Sequence, residues 1–272
     1  MSLHLICYAD GAHIHFANQA ALIASARRHG VAHISALDSS TADNNFAAAH
    51  RETLSEREGA GYWLWKPRII LDALERAAEN DLVVYVDSGS DLRGPLEALA
   101  TSANGRDGVL FWNDYPNRMH VKRDAFVLTG TDATHFHNAR QLDAAFLVFR
   151  NNERVRAFVR LWLEHCADPR QLTDRANTCG LPDLPGFVGH RHDQSLLTLL
   201  YLRERERLDF KTFARRIKHH HFRHHRRRIT WMPIWLWDVF HDGGETRLLR
   251  MRRRFSIIKR RLRRFVATLA AD

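Results

Sequence analysis

Cysteine is scarce in this sequence, and long apolar runs are missing from it. Its 272 residues include three cysteines, whose odd number and wide spacing argue against a disulfide framework and favour a reducing compartment. No stretch approaches the roughly 20 apolar residues that a membrane-spanning helix needs. The first residues also lack a basic segment followed by an apolar one, so we expect no secretory signal and a cytoplasmic protein.

Acidic residues are scarce in one part of the sequence. Residues 210–272 contain 18 Lys and Arg against 4 Asp and Glu, a net charge of +14. Residues 1–209 contain 23 Lys and Arg against 27 Asp and Glu, a net charge of −4. The positive charge is therefore a local feature, and we divide the chain into a body at 1–209 and a basic extension at 210–272.

Short apolar runs and segments with helical spacing alternate along the body. Strands are predicted at residues 3–8, 31–37, 82–86, 109–112 and 145–149, and helices at 16–29, 42–58, 68–78, 154–165 and 193–205. This alternation predicts an α/β protein with a mostly parallel sheet that helices cover on both faces. In such sheets ligands bind beyond the carboxyl ends of the strands, where we expect Tyr8, Asp10 and the segment Asp87-Ser88-Gly89.

Two segments have the composition of a ligand site. Asp87 follows a rigid strand and is suited to hold a divalent cation or a ribose hydroxyl, while Gly89 permits close approach of a ligand. The segment GYWLWKP at residues 61–67 forms a stiff aromatic platform for a sugar or a base, with Lys66 as a point charge for phosphate. The alternatives are a tight turn after the strand and ordinary core packing of the aromatic rings.

Two further charged clusters lie in the second half of the body. In HRHDQS at residues 190–195, Asp193 is suited to cap a helix, and the neighbouring histidines are suited to bind a metal or accept a proton. The alternative is a capped helix with solvated polar residues. Lys122-Arg123-Asp124 forms the other cluster, which by itself also fits a charge triplet that faces solvent.

Four strings, taken in order, resemble those of bacterial glycosyltransferases of capsule and O-antigen biosynthesis. They are GAGYWLWKPRIIL, LVVYVDSGSD, HVKRDAF and HRHDQSLLTLL, and the resemblance extends from about residue 3 to about residue 201. It implies a GT-A-like fold, in which a Rossmann-type nucleotide-binding domain is joined to an acceptor-binding part. It also implies transfer of a sugar from a nucleotide-sugar donor to a saccharide acceptor in surface polysaccharide biosynthesis.

The resemblance and the residue patterns together predict the site residues. Contacts to the donor and its nucleotide are assigned to Tyr8, Asp10, Trp65, Lys66, Asp87, Ser88, Gly89, Lys122 and Arg123. Contacts to the transferred sugar or the acceptor are assigned to Trp63, Asp124, Gln141, Asp143, His190 and Gln194. Catalysis is assigned to Asp193, Asp87 and His192, with Asp193 on the acceptor side as a proton acceptor or a positioning group.

The departing nucleoside diphosphate needs positive charge, which a divalent metal or fixed Lys and Arg side chains supply. By the resemblance, Asp87 occupies the place of the first aspartate of the GT-A Asp-x-Asp motif, but Gly89 stands in the third position. The usual two-carboxylate metal site is therefore incomplete. We expect Asp87 to hold Mn²⁺ or Mg²⁺ weakly, with His192 as a second ligand, while the basic side chains of the site face the phosphates.

The basic extension contains an amphipathic pattern. Apolar residues recur at steps of three and four from Leu248 to Leu269, and Arg and Lys fill the positions between them. Together with Trp231, Trp235 and Trp237, this pattern favours a helix that lies on anionic lipid at the inner face of the cell membrane. A lipid-linked saccharide acceptor fits that location. The alternatives are packing on the body, a coiled coil and nucleic-acid binding.

Two other functions compete with sugar transfer. A basic nucleic-acid-binding α/β protein fits the charge of the extension but not the acidic body, so we expect no nucleic-acid partner. A nucleotide-binding module without catalysis fits the same strand ends. Transfer or hydrolysis of a nucleotide sugar separates the enzyme from both alternatives.

Overall fold

The computed structural model describes residues 1–41 and 43–224. Its strands are β1 (Leu3–Tyr8), β2 (His33–Leu37), β3 (Leu82–Val86), β4 (Ser90–Leu92), β5 (Gly108–Pro116), β6 (Arg140–Leu142), β7 (Phe146–Arg150), β8 (Phe210–Phe213) and β9 (Phe222–His224). Its helices are α1 (His13–Arg28), α2 (Asn44–Ala49), α3 (Arg51–Leu54), α4 (Gly59–Tyr62), α5 (Trp65–Arg76), α6 (Glu97–Ser102), α7 (Arg123–Leu128), α8 (Thr134–Asn138), α9 (Glu153–Cys166), α10 (Pro169–Leu172), α11 (His192–Glu204) and α12 (Arg215–His221). No helix within these ranges is long and apolar enough to cross a membrane.

Seven of the strands form one sheet in the order β2-β1-β3-β7-β5-β6, with β8 also paired to β5. β1 is parallel to β2 and to β3, and β8 is parallel to β5. β7 is antiparallel to both β3 and β5, and β6 is antiparallel to β5. Five of the seven strands therefore run in one direction, which confirms the prediction of an α/β protein with a mostly parallel sheet.

Both faces of the sheet are buried. In β3, Val83 and Tyr85 point to a core shared with α5, α9 and α11, whereas Val84 and Val86 point to a core shared with α1 and α6. Successive side chains of a strand point to opposite faces, so a strand that is covered on both sides is apolar throughout. This burial explains why β3 is the clearest strand in the sequence.

Two helices have other bounds in the structure than the sequence predicts. The helix predicted at residues 42–58 is interrupted at His50, where the backbone leaves the helical region, and α2 and α3 lie on either side of it. The helix predicted from residue 68 begins at Trp65, which places Lys66 in its first turn. Pro67 is accommodated there because the N–H groups of the first turn have no acceptor within the helix.

The first residues of the predicted extension pack on the body. β8 joins the central sheet beside β5, and β9 pairs with β4, so α12 is held between two paired strands. Phe210 and Phe222 are each buried in one of the two cores. The basic composition of this segment predicts an extension, but buried aromatic rings and strand pairing decide its position. Residues 225–272, with the predicted amphipathic helix and the three tryptophans, lie outside the described residues.

Candidate functional site

A cleft lies at the carboxyl edge of the sheet. β1 and β3 are parallel and adjacent, so Tyr8 at the end of β1 and Asp87 after β3 lie at the same edge, as predicted. The cleft has a volume of about 350 Å³, which is the size of a small-molecule site. The predicted site residues that line it are Trp63, Lys66, Asp87, Asp143, His192, Asp193 and Gln194.

Lys66 lies at the cleft with only 3% of its surface exposed. Its Nζ atom is 2.8 Å from Asp193 Oδ2 and 3.6 Å from Asp87 Oδ1, and it donates a hydrogen bond to the Ala144 carbonyl oxygen at 3.4 Å. Burial alone lowers the pKa of Lys66, but the two carboxylates more than offset this effect and raise the pKa above its usual value. The side chain is therefore a permanent cation between two carboxylates.

The two carboxylates differ in exposure. The Asp193 side chain is 5% exposed and lies in the first turn of α11, where Trp162 Nε1 donates a hydrogen bond to the Asp193 backbone oxygen. Burial raises the pKa of Asp193, and Lys66 opposes this shift. The Asp87 side chain is 31% exposed and accepts a hydrogen bond from the Tyr85 hydroxyl at 2.7 Å. Asp87 is therefore the carboxylate that a ligand reaches more easily.

The aromatic segment has a left-handed backbone. The dihedral angle φ is positive from Gly59 to Trp63, and a Cβ atom at Gly61 would lie 2.7 Å from Leu54 Cα. Left-handed conformations cost a residue with a side chain about 1 kcal/mol or more, and such strain is concentrated at functional sites. Trp63 lines the cleft at the end of this turn and stacks on His192, with 5.6 Å between ring centroids.

Tyr8, Asp10 and Trp65 do not line this cleft, and their predicted contacts with the donor stay a prediction. The rings of Tyr8 and Trp65 stack on each other with 3.9 Å between centroids, and each residue is 8% exposed. The Trp65 indole N–H donates to the Gly59 carbonyl oxygen. Both rings belong to the buried core on one face of the sheet.

Several residues that line the cleft are absent from the predicted site residues. Three of them are the cations Arg191, Arg215 and Lys218. Lys218 is buried and forms an ion pair with Asp143. Arg191 immediately precedes α11, and Arg215 is the first residue of α12, with 40% of its side chain exposed. One sequence signal was available: the apolar pattern of residues 210–213 indicates a strand and thus a fold that continues beyond residue 209.

The Lys122-Arg123-Asp124 cluster holds a loop. The Lys122 Nζ atom donates to the carbonyl oxygens of Thr173 and Arg175, which are 3.3 and 2.5 Å away. The Asp124 carboxylate accepts hydrogen bonds from two backbone N–H groups of the same loop, and Arg123 forms an ion pair with an aspartate at 2.9 Å. None of the three residues lines the cleft, and their predicted contacts with phosphate and sugar stay a prediction.

Four other predicted residues also lie off the cleft lining: Ser88, Gly89, Gln141 and His190. His190 is buried and accepts a hydrogen bond from a backbone N–H at Nδ1. Burial holds the pKa of the His190 ring well below its usual value, so the ring is neutral. The Gln141 side-chain oxygen accepts a hydrogen bond from Gln194 at 2.7 Å, so Gln141 supports a lining residue from behind.

The predicted metal ligands do not fit a divalent cation. Within the part of the chain that the structure describes, no group of three or more His, Cys, Asp or Glu side chains is arranged to hold a metal ion. The His192 Nδ1 atom is 2.9 Å from a backbone carbonyl oxygen, and its Nε2 atom is 3.9 Å from Asp174. Asp87 and Asp193 instead hold the Lys66 ammonium. These residues therefore support no catalytic step through a metal.

The sequence matches no protein-family model and no curated protein. Among solved structures it is similar to mouse xyloside xylosyltransferase 1, with 10% identity, a TM-score of 0.43, and 78% of this chain and 85% of that chain covered. For the bifunctional glycosyltransferase WbbM the identity is 12% and the TM-score 0.45, with 78% of this chain but 38% of that chain covered. For the galactosyltransferase LgtC in complex with donor and acceptor sugar analogs, the identity is 16% and the TM-score 0.39, with 77% of this chain and 72% of that chain covered.

Proposed function

We propose that the protein is a glycosyltransferase that moves a sugar from a nucleotide-sugar donor to a saccharide acceptor. The observation that carries this proposal is the composition of the cleft at the carboxyl edge of the sheet. There the Trp63 ring, the cations Arg191 and Arg215, and the exposed carboxylate Asp87 line one cavity. A nucleotide sugar presents the matching groups, which are a sugar ring, a diphosphate and sugar hydroxyls.

The cations act on the leaving group. Cleavage of the sugar–phosphate bond builds negative charge on the departing nucleoside diphosphate, and fixed positive groups that face this charge lower the barrier. The guanidinium groups of Arg191 and Arg215 match phosphate oxygens with two parallel N–H donors. Lys218 adds a buried positive charge that Asp143 holds in place.

The carboxylates act on the sugar side. Asp87 is held by the Tyr85 hydroxyl and the Lys66 ammonium on one side and keeps 31% of its side chain exposed. It accepts hydrogen bonds from hydroxyl groups of the sugar ring that stacks against Trp63. Asp193 positions Lys66, and its action on the acceptor hydroxyl stays a prediction.

The acceptor and the location of the enzyme are proposed from the basic extension. A lipid-linked saccharide places the acceptor at the inner face of a membrane, where cationic residues and tryptophans favour anionic lipid. This pairing supports a role in surface polysaccharide biosynthesis for a peripheral membrane enzyme. Nucleic-acid binding is less favoured because the body carries a net charge of −4.

A screen of nucleotide sugars tests the function. In buffer with EDTA, one nucleotide sugar at a hundredfold excess over its Kd raises the unfolding temperature by about 5–10 °C. The Asp87→Asn variant keeps most of this shift but releases nucleoside diphosphate about 100-fold more slowly than the wild type. The matched control is Asp132→Asn, whose carboxylate pairs with Arg123 and lies off the cleft lining. The proposal fails if no nucleotide sugar shifts the unfolding temperature with or without Mn²⁺.

A further inference from the structure

We infer that the Lys66 ammonium takes the place of a divalent cation between Asp87 and Asp193, so that this cleft binds its nucleoside diphosphate without metal. The inference deepens the proposed function, because it states what meets the charge of the donor. It rests on which groups surround the Lys66 nitrogen.

The Lys66 ammonium is held from all sides by the fold. The Lys66 Nζ atom donates a hydrogen bond to the Ala144 carbonyl oxygen at 3.4 Å and forms ion pairs with Asp193 at 2.8 Å and Asp87 at 3.6 Å. The rings of Trp63 and Trp65 lie 6.0 and 5.9 Å from the nitrogen, and the Tyr85 ring lies 5.2 Å from it. Ring faces attract a cation, so the cage stabilises positive charge at this point.

A metal ion bound to the same carboxylates would meet this ammonium. Mn²⁺ or Mg²⁺ requires oxygen ligands at a little over 2 Å, and Asp87 Oδ1 and Asp193 Oδ2 already contact the Lys66 nitrogen. A doubly charged ion would be repelled by a lysine that the site keeps protonated. The lysine lies in the first turn of α5, is 3% exposed and has the rings of Trp63, Trp65 and Tyr85 around its nitrogen.

The charge that a metal would bring to the diphosphate is present in other side chains. Arg191, Arg215 and Lys218 line the same cleft. Arg215 and Lys218 lie on α12, which the β4–β9 pairing fixes beside the loop that follows Asp87. In this arrangement Lys66 pairs with Asp87 and Asp193, Lys218 pairs with Asp143, and Arg191 and Arg215 face the ligand.

Direct measurement of Mn²⁺ binding tests the inference without any turnover. The probe is Mn²⁺ alone, followed by the loss of the free-ion electron paramagnetic resonance signal on addition of the full-length protein. Wild type and Asp87→Asn are expected to bind Mn²⁺ equally weakly, since Asp87 takes no part in holding the ion. Weaker binding by Asp87→Asn than by wild type overturns the inference.

A substitution that vacates the cation position supplies the opposite test. Lys66→Met keeps an unbranched side chain, one atom shorter, and removes the charge, so Asp87 and Asp193 are left to bind Mn²⁺ about tenfold more tightly than in wild type. Lys66→Arg is the matched control, which keeps the positive charge and is expected to bind Mn²⁺ no more tightly than wild type. The double variant Lys66→Met/Asp87→Asn is expected to lose the tighter Mn²⁺ binding of Lys66→Met. This loss shows that the ion binds at Asp87 and not at histidines elsewhere in the chain. If folded Lys66→Met binds no more Mn²⁺ than wild type, the inference is overturned.

The failure of this inference is distinguishable from the failure of the proposed function. Mn²⁺ binding that depends on Asp87 in the wild type removes the role of Lys66 but leaves sugar transfer standing. A complete lack of nucleotide-sugar binding removes sugar transfer but leaves the lysine as the cation of the two carboxylates. A final experiment measures the affinity of the protein for UDP, GDP and CDP, first in EDTA and then in Mn²⁺. Equal affinities in the two buffers support the inference, and affinity that depends on Mn²⁺ contradicts it.

Discussion

Lys66 and Lys122 are buried to the same degree, with 3% of each residue exposed, but their surroundings differ. The Lys66 ammonium faces two carboxylates, which raise its pKa despite burial. The Lys122 ammonium donates mainly to backbone carbonyl oxygens, and burial lowers its pKa because Asp124, 4.0 Å away, only partly offsets the loss of water. The same residue type therefore organises a cleft in one place and fastens a loop in the other.

The groups that face a buried charged side chain decide whether it has a structural or a binding role. Lys122 faces carbonyl oxygens and a fully buried carboxylate, so the cluster at 122–124 contributes to stability. Asp87 keeps part of its surface open next to Lys66, so the cluster formed by Lys66, Asp87 and Asp193 can serve a ligand. Substitutions in the two clusters should accordingly change different measured quantities.

The largest effect is expected at Asp124. Asp124→Asn replaces an acceptor of two backbone N–H groups and the Thr178 hydroxyl by a side chain that also donates, at a fully buried position. We expect a loss of about 3 kcal/mol in the free energy of unfolding, measured by urea denaturation, with little change in donor affinity. Asp132→Asn, in a partly exposed ion pair, should cost less than about 1 kcal/mol.

The stability that Asp124 contributes should also depend on pH. Burial alone raises the pKa of Asp124, but the hydrogen bonds from Thr178 and Cys179 more than offset it and lower the pKa below its usual value. A carboxyl whose pKa is lower in the folded state stabilises the fold above its unfolded pKa, and this contribution is lost as the pH falls through the folded pKa. Wild type and Asp124→Asn should therefore converge in stability at strongly acidic pH. An unchanged difference there would contradict this account.

A smaller effect is expected on the side of the cleft. Arg215→Ala removes a cation that lines the cavity and should weaken the binding of the nucleoside diphosphate product about tenfold, measured by calorimetry in EDTA. Its ion pair with Asp114 is largely exposed, so stability should change little. Arg216→Ala, at the next and exposed position, is the matched control and should leave affinity within about twofold. Equal effects of the two substitutions would show that only overall charge matters.

The smallest effect on the cleft is expected from the basic extension. Removal of the residues after 228 should release the protein from vesicles that contain anionic lipid, because each Lys or Arg near such a surface contributes about 1 kcal/mol. Donor affinity should stay nearly unchanged, since every cleft residue named above lies before residue 220. Truncated protein that still sediments with the vesicles would remove the membrane role.

The sequence predicted five of the nine strands in the described residues and the edge of the sheet where the cleft lies. Apolar runs such as Leu82–Val86 specify buried strands, and parallel order brings their carboxyl ends together. It also indicated Lys66, Asp87 and Asp193, which do meet at one point. It did not reveal that Trp65 and Tyr8 pack on each other or that Lys122 fastens a loop, because a sequence pattern does not state which groups lie opposite a side chain.

By itself, then, the sequence determined the class of fold and the segments that end at its functional edge, because periodicity and chain order are local properties. Only the tertiary structure decided that Asp193, more than 120 residues away in the chain, neutralises Lys66, and that Lys218 from the basic segment enters the same cleft. Such pairings follow from strand order and helix packing across the whole body. The energy of a buried charge depends on these distant partners, and that dependence separates a binding residue from a structural one.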